Sequence, residues 1–192
     1  MQKYFLILIF AGLPFCILRA QGTVERKYAG VGRFEVEAAV GPTLGYSPLA
    51  RFYRMPTGFC AALEGRYNFR QRPFDVGLRF GASGHNRWSH RSCSGDFQLV
   101  ASCLVVADYN IHLLSGLTFY AGLGLGGAFV AESAEETETG VRSGDRGVFC
   151  AMPRVGFECW RHLRFTVAYC LMERESSHLE LTVGIVFGGG RR

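Results

Sequence analysis

The sequence predicts an all-β protein, an eight-stranded antiparallel up-and-down transmembrane β-barrel. Three observations predict it. Apolar side chains alternate with polar or small ones through eight successive segments. The connections between those segments alternate short and long. No stretch beyond the N-terminus holds the roughly 20 apolar residues of a helical span. The composition points the same way: of 192 residues 48% are hydrophobic and 19% charged, with 25 Gly, 16 Phe and 8 Tyr but only 2 Lys. That is ample material for one core, which excludes disorder, and an odd surface for water, which normally carries many lysines.

The chain opens on Lys3, an apolar run over 4–18 and then Arg19-Ala20-Gln21-Gly22. A basic start, a short apolar stretch and the small Ala20 at the cut read as a cleaved signal peptide over 1–20. Phe15 before Cys16 is too large for a lipoprotein-type site. Residues 21–32 read as a lead-in, 33–187 as the barrel and 188–192 as a C-terminal tail. The formal charge is +5, and loss of Lys3 and Arg19 with the leader lowers it. The remaining bases are scattered arginines alternating with Glu, so no phosphate-tracking stripe forms and nucleic acid is not an expected partner.

The first strand sets Phe34, Val36 and Ala38 against Glu35 and Glu37. The second sets Phe59, Ala61, Leu63, Tyr67 and Phe69 against Glu64, Arg66 and Asn68, and the third Val76, Leu78, Phe80 and Ala82 against Gly77, Arg79, Gly81 and Ser83. In the fourth, Phe97, Leu99, Ala101, Cys103, Val105 and Tyr109 oppose Gln98, Ser102, Asp108 and Asn110. In the fifth, Phe119, Ala121, Leu123, Leu125 and Phe129 oppose Tyr120, Gly122, Gly124 and Gly126. The last three set Val155, Phe157 and Cys159 against Arg154, Gly156 and Glu158; Phe165, Val167, Tyr169 and Leu171 against Arg164, Thr166 and Ala168; and Leu179, Leu181, Val183, Ile185 and Phe187 against Glu180, Thr182 and Gly184. Short connections at 70–73, 112–116 and 161–163 alternate with long polar ones at 47–57, 84–95 and 132–146, and the last outward connection, 173–178, is the shortest of its set. Pro42 and Pro153 fall on strands, where each removes a ladder donor in a barrel that has no edge, so bulges are expected there.

Alternation alone does not say which face is inside, because a soluble secreted barrel around an apolar ligand reads the same. Bulk does: the Phe, Leu, Val and Tyr of the apolar face exceed what an eight-stranded interior holds. A face of Gly122, Gly124 and Gly126 with single charges suits a crowded interior instead. Aromatics near strand ends (Tyr67, Phe69, Phe97, Tyr109, Phe119 and Phe129) are placed for girdles at the two lipid–water boundaries. In Tyr120-Ala-Gly-Leu-Gly-Leu-Gly-Gly-Ala-Phe129 and Leu179-Glu-Leu-Thr-Val-Gly-Ile-Val-Phe187 the chain resembles the small eight-stranded outer-membrane barrels of the OmpA/OmpX and opacity-protein type, and the outer-membrane barrel-domain proteins of the Bacteroidetes. The resemblance implies residence in the outer membrane of a Gram-negative bacterium, outer-membrane lipids as surroundings, insertion by the barrel-assembly machinery and a periplasmic position for 21–32. Members often end on an aromatic residue; here residues 188–192 follow Phe187.

Inward-facing charges are then Glu35, Glu37, Glu64, Asp108, Glu158 and Glu180 with Arg66, Arg79, Arg154 and Arg164. Buried charges persist when paired, so the expected role of this set is an interior polar network that plugs the barrel. A narrow pore for ions or small solutes is the alternative. The function expected is structural or surface-interacting, with an extracellular partner met through 47–57, 84–95 and 132–146. The acidic segment 132–139 is expected to be a solvated loop.

No enzyme activity is expected. His90-Arg91-Ser92 has the His-x-Ser spacing of barrel deacylases that the chain resembles, but its place in a loop makes plain polarity the better explanation. Of the cysteines, Cys103 and Cys159 face lipid, Cys93 lies in a loop, and Cys150 and Cys170 face inward on neighbouring strands, where they could pair. Cys93 with His85 and His90 does not make a metal spacing, and neither metal nor cofactor is expected.

Overall fold

The computed structural model describes residues 33–45, 57–69, 72–88, 95–114, 116–133, 145–160, 162–173 and 176–188. Eight strands run in chain order: β1 (Phe34–Gly45), β2 (Thr57–Asn68), β3 (Phe74–Trp88), β4 (Gly95–Leu114), β5 (Leu117–Ser133), β6 (Arg146–Cys159), β7 (Leu163–Cys170) and β8 (His178–Gly188). Each pairs antiparallel with the next, and β8 closes on β1, so the sheet has no edge; its ladders are interrupted beside Pro42 between β1 and β8 and beside Pro153 between β6 and β7. The expected strands all form, with the expected facing.

The two faces are inverted relative to a water-soluble protein. Leu63, Phe80, Val105, Leu125, Val155 and Ile185 stand outward and exposed, while Glu37, Glu64, Arg66, Arg79, Asp108, Arg154 and Arg164 are buried inside. An exposed apolar surface running round a whole barrel is stable only against hydrocarbon. Aromatics concentrate at both of its borders. At the short-turn end Phe34, Tyr67 and Phe69 form successive edge-on contacts at 5.2 and 5.4 Å, Phe74 meets Tyr109 at 4.9 Å, and Phe157 stacks on Phe165 at 4.9 Å. At the long-loop end Phe59, Phe97, Phe129 and Phe149 are exposed. These are the two girdles that the strand-end aromatics predict.

Several boundaries differ from the sequence reading. Of the connection expected over 84–95, residues 84–88 and 95 are strand: β3 and β4 stay in register from Phe74↔Tyr109 to Trp88↔Gly95, which carries His85 into the barrel interior. Cross-strand hydrogen bonding continues past the lipid-facing band, where hydrophobic alternation has faded. Likewise 132–133 belong to β5, 112–114 to β4, His178 opens β8, and Gly188 ends it with φ of 91°. Neither expected proline bulge forms. β1 keeps one register on β2 through Pro42 and β5 keeps one on β6 through Pro153. The irregularity falls instead between His112 and Leu114, beside the turn into β5. The last outward connection is short because it is a hydrogen-bonded turn. Ser176 and Ser177 amides donate to the Glu173 carbonyl at 2.9 and 3.2 Å, and the Ser177 hydroxyl accepts from the Met172 amide at 3.0 Å. Arg146 pins it to β6 through Glu173 at 3.1 Å.

Candidate functional site: the interior charge network

Strand pairing sets Glu35 against Arg66 and Glu64 against Arg79, but it also sets acids against acids. Glu37 lies directly across from Glu64, and Asp75 across from Asp108, an arrangement that is destabilising unless something positive intervenes. Arginines from neighbouring and facing strands supply it. Arg154 of β6 reaches across the lumen with one bidentate fork on Asp108, at 2.8 and 2.7 Å, and another on Glu64 of β2, at 2.5 and 2.7 Å. Arg164 of β7 donates to Asp108 at 2.5 Å and lies 3.6 Å from Glu37. Arg79 donates to Glu180 at 2.7 Å and lies 3.7 Å from Glu64. Arg66 sits among Glu35, Glu37 and Glu64 at 3.3, 3.3 and 3.7 Å without a directed hydrogen bond, so it is held by charge alone.

Nine of the ten charged residues expected inside thus form one connected network from wall to wall. Glu158, the tenth, is half-buried near the short-turn end of β6, across from Arg164, and stands outside the ion pairs found among the described residues. Bidentate Arg–carboxylate geometry is the arrangement in which mutual attraction offsets desolvation of both partners.

Small residues make room for this network. A methyl group at Gly122 would overlap the Asp108 carboxylate, and one at Gly156 would meet the Tyr120 hydroxyl at 2.5 Å. Tyr120 occupies that space. Its hydroxyl shares a short hydrogen bond with Thr166, and the Arg164 guanidinium lies 3.5 Å over its ring, a desolvated cation–π contact that fixes Arg164 beside Asp108.

The interior is not polar throughout, which the sequence reading did not anticipate. Val100, Leu104, Val106, Val130, Cys150, Met152, Ala168 and Cys170 form an apolar cluster on the β4–β7 wall. Facing it at the long-loop end are Ser83, His85, Gln98, His178 and Glu180, all buried. Sequence reasoning also missed Asp75, whose carboxylate accepts from Asn110 at 2.6 Å; one more step of the β3 alternation would have found it. Cys103 is exposed to the lipid side as expected, whereas Cys159 is half-buried. Cys150 and Cys170 are both buried free thiols. Cys93, His90 and Ser92 lie outside the described residues, as do 1–32, 46–56, 134–144 and 189–192. His85, buried in the lumen, packs on His178.

No family model matches the sequence, and no curated protein does. Solved structures do. Neisserial surface protein A superposes with a TM-score of 0.57 at 13% identity, over 83% of this chain and 99% of that one. Ail, the attachment invasion locus protein of Yersinia pestis, superposes with a TM-score of 0.50 at 16% identity, over 82% of this chain and 99% of that one. At such identities the likeness is one of fold, and with the lipid-facing exterior it makes this chain an outer-membrane β-barrel protein.

Proposed function

We propose that the chain is a non-enzymatic outer-membrane barrel that serves as a rigid mount for its outward loops, through which it meets an extracellular partner. One observation carries this reading: Arg154 spans the lumen, bound at once to Glu64 of β2 on the far side and to Asp108 of β4 on its own wall. A pore needs mobile, hydrated side chains along its path; this lumen holds its charges in fixed pairs with glycine space already filled. Such a barrel contributes stiffness and leaves interaction to 47–57, the end of 84–95 and 132–146. In planar bilayers the purified chain is expected to give no stepwise conductance, and replacing Arg66 and Arg79 with alanine to open none. An epitope inserted within 134–144 is expected to bind antibody on intact cells. Discrete conductance steps from the wild type would favour the narrow pore instead.

A further inference from the structure

At the long-loop end of the lumen, three groups of different chemistry converge. The ligating atoms of Cys170, His178 and Glu180 all lie within 4.8 Å of one another, and all three residues are buried. The β7–β8 hairpin creates this convergence: Cys170 is the cross-strand partner of His178, and His178 and Glu180, two apart on β8, share its inward face. A fourth group comes from across the lumen. The His85 ring of β3 lies 4.5 Å from that of His178, is 4% exposed, and has no hydrogen-bond partner among the described residues on either ring nitrogen. A buried imidazole with both nitrogens unmatched is costly unless something else binds it.

The hydrogen bonds around the cluster prepare it for a cation. His178 Nδ1 lies 3.0 Å from the Ser176 carbonyl, which can only accept, so the proton of the neutral ring sits on Nδ1 and the lone pair on Nε2. That lone pair lies 3.3 Å from both Glu180 Oε1 and the Ser83 hydroxyl, whose proton it accepts until a cation displaces it. Glu180 Oε2 is taken by Arg79 at 2.7 Å, which orients the carboxylate and leaves Oε1 directed at the cluster. Outer partners of this kind, a carbonyl behind a histidine and a donor behind a carboxylate, are those that orient metal ligands.

We propose that Cys170, His178 and Glu180, with His85 as fourth ligand, form a binding site for a thiophilic divalent transition metal, zinc in the first instance. Sulfur, nitrogen and oxygen donors in a four-ligand set suit zinc, and the sulfur excludes magnesium and calcium. Bonds of about 2.0 to 2.3 Å in a tetrahedron bring ligand atoms to roughly 3.5 Å of one another, so binding draws the cluster together by about 1 Å. The Cys170 thiol proton leaves to solvent as the metal–sulfur bond forms. The metal brings two positive charges and the departing thiol proton removes one, so binding adds one positive charge beside Glu180, whose carboxylate also faces Arg79. Cys150, a buried free thiol in the same apolar cluster as Cys170, lies outside the proposed ligand set.

The test uses the folded full-length barrel in detergent, kept reduced and titrated with Co2+. Wild type is expected to bind one ion per chain with thiolate-to-cobalt charge-transfer absorption, and Zn2+ to abolish that absorption by displacement. Cys170→Ser is expected to lose the absorption while keeping its heat-dependent gel mobility; Cys170→Ala replaces it if the serine does not fold. His178→Gln and His85→Gln are expected to weaken binding at least tenfold, and Cys103→Ser and Cys150→Ser to leave the absorption in place. A folded, reduced wild type without charge-transfer absorption overturns the proposal. So does absorption that survives loss of Cys170, or undiminished affinity in either histidine variant.

Discussion

Arg154→Ala is expected to destabilise the barrel by about 3–5 kcal/mol, the usual loss when one partner of a buried ion pair is removed. The guanidinium makes four directed hydrogen bonds to two carboxylates. Without it Asp108 keeps Arg164 but faces Asp75 across the β3–β4 pair, and Glu64 faces Glu37 with only the longer contacts to Arg66 and Arg79. Arg154→Lys retains the charge but not the fork, and falls between. The urea midpoint for loss of the heat-modifiable band, measured in lipid vesicles of one composition, reads the difference. An unchanged midpoint for Arg154→Ala would mean that lumenal water already solvates these acids, and that the network is not a plug.

The second large effect lies on the other face. Leu125→Arg, halfway along β5 and pointing outward, is expected to cost about 2–4 kcal/mol, as an arginine does at the bilayer midplane. Phe149→Arg, near the long-loop end of β6, is expected to cost about 0–1 kcal/mol because the headgroup region accepts the charge. The contrast is the informative quantity. A barrel in water would place both positions on an ordinary surface, where substitutions stay within about 0.5 kcal/mol of neutral and depth has no meaning.

The outer face was legible because lipid enforces strict alternation: Leu179 through Phe187 reads as a strand without ambiguity, and the structure pairs it on both sides as such. Legibility failed where that enforcement stops. His85 lies beyond the apolar band, where polar residues occupy both faces and a strand looks like a loop. His178, at the start of β8, hid inside a polar turn for the same reason. On β4 the run Leu104-Val105-Val106 is apolar on both faces; alternation placed Val105 outward, but polar residues around them hid Leu104 and Val106 as an apolar lining of the lumen. The charged residues were identifiable one by one, but their partners were not. Glu64 and Arg154 stand 90 positions apart, and only closure of the sheet and its tilt determine that they meet. The same holds for the metal-ligating set, whose fourth member arrives from the far wall.

Envelope fractionation of cells producing the chain, followed by gel migration with and without boiling, tests the central claim most directly. Recovery in the outer-membrane fraction, with a compact form that migrates differently from the boiled chain, is the predicted result. A soluble chain whose mobility does not depend on heating would contradict it, and would turn the apolar face inward, around an enclosed ligand.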